Sequence, residues 1–293
     1  MTKIFTLPFR LALLFISILM IYSCTENKEP LVQITPHSSI VLIGNNLGSR
    51  MLNYGSLETE LQLRHPNDSL IIRNMCDGGD TPGFRPHSGR VSPWAFPGAE
   101  KLVIVSPIAF ENISDHVDVP NGDLENENLK LYADAMKAIS ASNNIPFIDV
   151  YNPSKKWFEN PETDFTIDGS QLNEEGYNKL AEFLADELTG NRAIKSEEKR
   201  VAVNDAIKEK NFHWHNDYKI PNGVHVFGRR HAPYGPDNYP FEIKKTRQLT
   251  TIRDSSIWAT AAGNTYDIKS ADALTSKLPL VETNYNLGNG EDI

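Results

Sequence analysis

The chain has 293 residues, 40% of them hydrophobic and 23% charged, with a net charge of −9. That length suits one large or two small domains, and the composition is ordinary for a globular protein. The acidic balance argues against nucleic acid as a partner and gives no electrostatic help toward anionic lipid. The first element is a leader. Lys3 and Arg10 precede an apolar run from Leu11 to Tyr22, too short to span a membrane and right for the core of a signal peptide. It ends in Ile21-Tyr22-Ser23-Cys24, which is similar to a bacterial lipobox. In that reading Cys24 is acylated and becomes the mature N-terminus; an ordinary signal peptide is the alternative. A polar tether over 25–37 follows, and the expected location is export with a lipid anchor on the periplasmic or outer-surface side. Cys76 is the second of only two cysteines. With Cys24 lipidated it has no disulfide partner, and its place after an apolar strand suits a packed thiol better than a nucleophile.

The main unit is expected over 38–190. Ile40 to Ile43 read as a strand, Leu47 to about His65 as a single helix, and Leu70 to Asn74 as a second strand. Short continuous apolar runs of this kind belong to parallel strands buried on both faces. From Asp80 to Glu100, seven Pro and Gly residues leave no room for an ordinary helix. Lys101 to Ser106 are the next strand. Asp123 to Asn143 are expected to be a helix with Leu129, Tyr132, Ala133, Met136 and Ile139 on one buried face. Pro146 to Val150 make a fourth strand, and Trp157 and Phe158 lie in a connection. Asn173 is a good N-cap. The helix behind it carries Glu174 and Glu175 in its first turn, where the helix dipole favours them, and ends at Gly190. The fold class is therefore α/β: a flavodoxin-like three-layer sandwich on a short parallel sheet of about four strands, with an irregular helical lobe over 191–264. In that lobe Lys195 to Lys210 and Phe241 to Ala262 read as helices, and Phe212 to Tyr239 as an extended, His- and aromatic-rich excursion. A polar, loose tail is expected over 265–293.

Ligands of such sheets bind outside the carboxyl ends of the strands, where Gly44-Asn45-Asn46-Leu47 and Gly78-Gly79-Asp80-Thr81 fall. These blocks, with Asn74 before the second and Asp168-Gly169-Ser170-Gln171-Leu172 before the last helix of the unit, resemble the SGNH/GDSL hydrolases over about 38–190. The resemblance implies ester-bond hydrolysis, on acyl or carbohydrate esters, by a Ser–His–Asp triad. Its positions fall here on Asn46 for the nucleophile, Gln171 for the base and Asp168 for the acid. Gly79 matches the second-block glycine, and Gly44 and Asn74 join it as oxyanion or ligand-binding candidates. The third block, a central strand ending in Gly-x-Asn, has no counterpart. An amide nitrogen is delocalised and cannot be activated as a hydroxyl can, and Gln cannot cycle a proton near neutral pH. The resemblance thus implies a degenerate site that binds a glycan or other polar ligand. An active esterase with an unrecognised nucleophile or metal-bound water is a second reading, and a docking module a third. Val105 to Asn112 and Leu278 to Tyr285 further resemble the front segment of bacterial multidomain proteins that carry a sugar-dehydrogenase-like propeller and a c-type haem domain. No Cys-x-x-Cys-His occurs here, so no cofactor is expected, and any fusion domains lie outside this chain.

Other constellations have simpler explanations beside them. His213 and His215 would share one side of a strand and could start a metal site, or simply line a solvated hairpin. Asp77, Asp80 and Asp168 could converge on a cation, or serve as turn and cap carboxylates. The second explanation is the stronger in both cases, so no metal is expected. Trp94, Phe96, Trp157 and Phe158 could stack on a sugar or pack as core. Arg229-Arg230 and Lys244-Lys245 are solvated basic patches.

Overall fold

The computed structural model describes residues 29–81, 100–113, 118–160, 162–190, 196–219 and 239–279. These residues form an α/β arrangement of helices around short parallel strands. Strand β1 (Ser39–Leu42) leads through helices α1 (Asn46–Tyr54) and α2 (Ser56–Arg64) to β2 (Ile71–Asn74). The two strands pair in parallel, with Ser39 opposite Ile71 and Leu42 opposite Asn74. A second parallel pair joins β3 (Ile104–Val105) to β4 (Phe147–Ile148), on either side of α3 (Asp123–Ser142). Helices α4 (Tyr151–Trp157), α5 (Glu174–Thr189), α6 (Glu197–Tyr218), α7 (Tyr239–Ala262) and α8 (Ile268–Ala273) follow. No helix among the described residues is long and apolar enough to cross a membrane.

One core serves both strand pairs. Leu57, Leu61, Leu70 and Ile72 from the first half meet Ile148, Val150, Leu180 and Leu184 from the second. A smaller core of Leu63, Val203, Ile207, Ile257 and Ala261 seats α6 and α7 against α2. The C-terminal helices are therefore packed on the α/β body through buried aliphatic side chains.

Several sequence expectations are corrected. The helix expected from Leu47 to His65 is two helices. Gly55 adopts φ of 68° between them, its N–H closing α1 on the Met51 carbonyl and its own carbonyl receiving the Thr59 hydroxyl. A Cβ at Gly55 would stand 3.0 Å from Ile207 Cγ2, so the break also lets α6 approach. The expected sheet of four or so strands is two separate pairs among the described residues. The apolar face of α3 is only partly used. Ala133 is buried, whereas Tyr132 and Ile139 are 68% and 58% exposed, because β3 and β4 contribute two residues each and cannot cover a helix of that length. Trp157 ends a short helix, α4, and the tail after Thr265 contains α8, capped by Asp267 on the Ser270 N–H at 3.0 Å.

The free side of β2 is closed without a strand. Ile71 and Met75 donate toward β1, so the carbonyls of Leu70, Ile72 and Asn74 point the other way. Each accepts a side-chain donor from the C-terminal helices: Trp258 Nε1 on Leu70 at 2.8 Å, Lys210 Nζ on Ile72 at 3.3 Å, and Trp214 Nε1 on Asn74 at 2.7 Å. Arg73 adds an ion pair to Asp254 and lies 5.3 Å over the Trp214 ring, a cation–π contact.

Candidate functional site

The site is built on α1, which starts at the carboxyl end of β1. Gly44 accepts the Asp77 N–H at 3.0 Å, which sets the two strand exits side by side. Asn46 opens the helix and is exposed. Its Oδ1 lies against Gly78, 3.8 Å from where a Cβ would stand. Gly79 takes φ of 84° in the turn that the Asp80 N–H closes on the Asp77 carbonyl at 3.2 Å; the left-handed backbone there suits glycine. Asn74 is buried and braces this floor. Its Nδ2 donates to the Gly48 carbonyl at 2.6 Å and its Oδ1 accepts from the Cys76 N–H at 2.9 Å. Cys76 is a buried thiol under α1, as expected, and a Cβ on Gly48 would stand 2.3 Å from its Sγ.

Asp168 and Gln171 are held together. Asp168 accepts the N–H groups of Ser170 and Gln171 at 2.9 and 2.7 Å, the Ser170 hydroxyl at 3.0 Å and the Gln171 amide at 2.6 Å. Burial pushes its carboxyl up, but these four bonds outweigh that and hold it below the usual carboxylate range. The Gln171 carbonyl oxygen accepts Arg50 Nη1 at 3.0 Å. The amide is thus clamped at both ends, between a carboxylate and a guanidinium. Arg50 sits one helical turn after Asn46 on α1, and Arg50 is the one that reaches the Asp168 loop. No hydrogen bond joins Asn46 to Asp168 or Gln171 among the described residues. Arg50 Nη2 also reaches the Leu172 carbonyl at 3.4 Å and the Tyr54 hydroxyl at 3.5 Å. Tyr54 stacks on Tyr177 at 4.6 Å between centroids. Burial pushes the Tyr177 phenol up to about 12, and its hydroxyl donates to the Leu47 carbonyl at 3.0 Å.

Residues outside the sequence motifs hold this geometry. Glu111 is buried, and its carboxylate accepts the Phe165 N–H and both the N–H and hydroxyl of Thr166, the last two at 2.6 Å. It anchors the loop that presents Asp168. The ring of Phe110 occupies the space a Cβ on Gly169 would need, 2.2 Å away. Lys219, just past α6, pairs with Asp77 at 2.9 Å and reaches the Ser49 hydroxyl at 3.0 Å. Arg50 and Lys219 carry no motif signal; only the fold brings them here. Glu111 lies in the Val105–Asn112 stretch noted above, but its role depends on a loop 54 residues away.

The histidine reading is corrected. His213 and His215 lie in α6, where positions two apart face different sides. Burial lowers both imidazoles, which favours the neutral form, and Arg253 and Lys219 respectively add to it. No group of three or more His, Cys, Asp or Glu suited to a metal occurs among the described residues. Cys24, the leader, Trp94, Phe96, His225, His231 and Arg229-Arg230 lie outside the described residues. Neither family models nor the curated proteins and solved structures compared with the chain match it.

Proposed function

We propose that this chain is an SGNH/GDSL-like domain of flavodoxin-like, three-layer plan that has lost proton-transfer chemistry and binds a polar ligand of glycan type. The ligand site is the carboxyl edge of β1 and β2, with Asn46, Gly78, Gly79, Gln171 and Asp168 around it. The observation that carries this reading is the clamped Gln171 amide, bonded to Asp168 on one side and Arg50 on the other. A base at this position would have to accept and release a proton, and an amide with both ends held does neither. Arg50 supports a ligand with an anionic group, such as an acidic sugar. Arg64, Arg73, Arg200, Arg247 and Arg253 all pair with carboxylates, while the bonds of Arg50 are to neutral acceptors. Export and anchoring through Cys24 belong to the same proposal and place the ligand outside the cytoplasm.

A second reading, residual ester hydrolysis, has one observation in its favour: Ser49 Oγ stands 3.0 Å from Lys219 Nζ. A Ser–Lys pair can be catalytic, but here Lys219 Nζ is also engaged by Asp77 at 2.9 Å. A panel of acetyl esters and a titration with neutral and acidic sugars separate the readings. The binding proposal expects no turnover, and sugar binding that weakens at least tenfold in Arg50→Met and Asn46→Ala. Turnover lost in Ser49→Ala or Asp168→Ala would overturn it.

A further inference from the structure

A cavity of about 20 Å³ lies behind α1, lined by Leu42, Leu52, Ile72, Glu58, Asn74 and Asn211 among others. Glu58 is 7% exposed. One of its oxygens, Oε2, accepts Lys210 Nζ at 2.7 Å. The other, Oε1, is buried and makes no hydrogen bond among the described residues. A buried carboxylate oxygen without a donor is costly, roughly 1–3 kcal/mol for a polar group and more for a charged one, and natural cores supply a partner. The walls around it hold further capacity. Asn211 Nδ2 donates once, to the Leu52 carbonyl at 3.0 Å, and Asn74 Nδ2 once, to Gly48; each amide nitrogen has a second hydrogen. A space able to hold a water needs about 10–15 Å³ and two to four polar partners.

We infer that this cavity is a built single-water site, with Glu58 Oε1 as the acceptor for the water's proton and the side-chain amides of Asn211 and Asn74 as its neighbours. The space is large enough for one water. The three polar walls come from α2, α6 and β2, so the water is shared between the α/β body and the C-terminal helices. It completes the coordination of the Glu58–Lys210 pair, in which burial otherwise pushes the Glu58 carboxyl up against the pull of Lys210. What the carboxyl edge of the strands binds does not enter this assignment, although Asn74 touches both places.

The test is a crystal structure of the full chain that shows ordered water, together with water–amide NOEs in solution. The expected result is a single peak about 2.6–3.2 Å from Glu58 Oε1 and an NOE from water to the Asn211 side-chain amide. The apolar pair Glu58→Met/Lys210→Met should remove that NOE. A cavity without density in the wild-type crystal, or an NOE that survives in the folded double variant, would overturn the inference. Should the double variant not fold, the wild-type density alone decides.

Discussion

Replacing Lys210 by Met tests how the C-terminal helices are held to the body. Lys210 is 1% exposed and its partner Glu58 8% as side chains, so neither charge is open to bulk solvent. Removing one member of a buried pair costs about 3–5 kcal/mol, chiefly because the other charge is left uncompensated. The Ile72 carbonyl contributes little to that figure, since Arg73 Nη1 still donates to it at 2.9 Å. For a domain of this size the loss corresponds to a melting temperature lower by roughly 6–20 °C. Glu58→Met/Lys210→Met, apolar on both sides, is expected within about 1 kcal/mol of wild type or above it. The assay is urea unfolding followed by tryptophan fluorescence, since Trp214 and Trp258 both lie at the joint. pH adds a signed check. Burial already holds the Glu58 carboxyl above its ordinary value, and without Lys210 nothing nearby pulls it down as strongly. An acid raised in the folded state disfavours that state as pH rises from its unfolded value to its folded one. The deficit of Lys210→Met should therefore shrink on acidification toward the ordinary carboxylate range. A single variant that loses less than about 1 kcal/mol, or a deficit that grows on acidification, would refute the argument.

The other predictions are independent of that pair. Gly48→Ala places a Cβ 2.3 Å from Cys76 Sγ. Overpacking of about 1–3 kcal/mol should exceed the roughly 1 kcal/mol gained in helix propensity, so the variant melts lower, and Cys76→Ala should restore part of the loss. Trp214→Phe should cost more in urea unfolding than Trp258→Phe. The Leu70 carbonyl keeps the Gln62 amide at 3.0 Å, whereas Asn74 loses its indole donor and Arg73 exchanges the indole it lies over for a smaller phenyl ring. Asp168→Asn should flatten the acid limb of the stability–pH curve. The Asp168 carboxyl is depressed when folded, so its contribution exists above the ordinary value and is lost as pH falls through the folded one. Its partial exposure keeps the effect small.

What was legible in the sequence follows physical range. The β1 and β2 strands, the Asn173 cap and the end of α5 at Gly190 depend on neighbours in sequence, and the structure has them within a residue of where the pattern puts them. Asn173 Oδ1 accepts the Gly176 N–H at 2.9 Å. An isolated glycine inside a helical pattern is tolerated, so the pattern runs through Gly55; in the structure the chain turns there, with Ile207 of α6 packed 3.0 Å from where a Cβ would stand. The stretch from Phe212 to Tyr239 reads as extended from its His, aromatic, Gly and Pro content, yet Phe212 to Tyr218 continue α6. This end of the helix is stabilised by Trp214 and Tyr218 reaching the Asn74 and Met75 carbonyls, contacts that sequence pattern does not express. At the candidate site, Asp168 and Gln171 stand out in the sequence only through the resemblance to the last SGNH/GDSL block. Arg50, which fixes the Gln171 amide, is 121 residues from it in sequence.

The closed side of β2 has a consequence in time. Its three outward carbonyls are met by donors 138, 140 and 188 residues away. On a growing chain Gln62 and Arg73 can meet the Leu70 and Ile72 carbonyls locally, but the Asn74 carbonyl stays open until Trp214 has been made, and full cover of this side waits for Lys210 and finally Trp258. The first strand pair can form early, but its outer side is sealed only once α7 has been made. Contacts of such sequence separation also slow refolding of the finished chain. The vulnerable interval for this protein is set less by its strands than by the arrival of two tryptophans and a lysine.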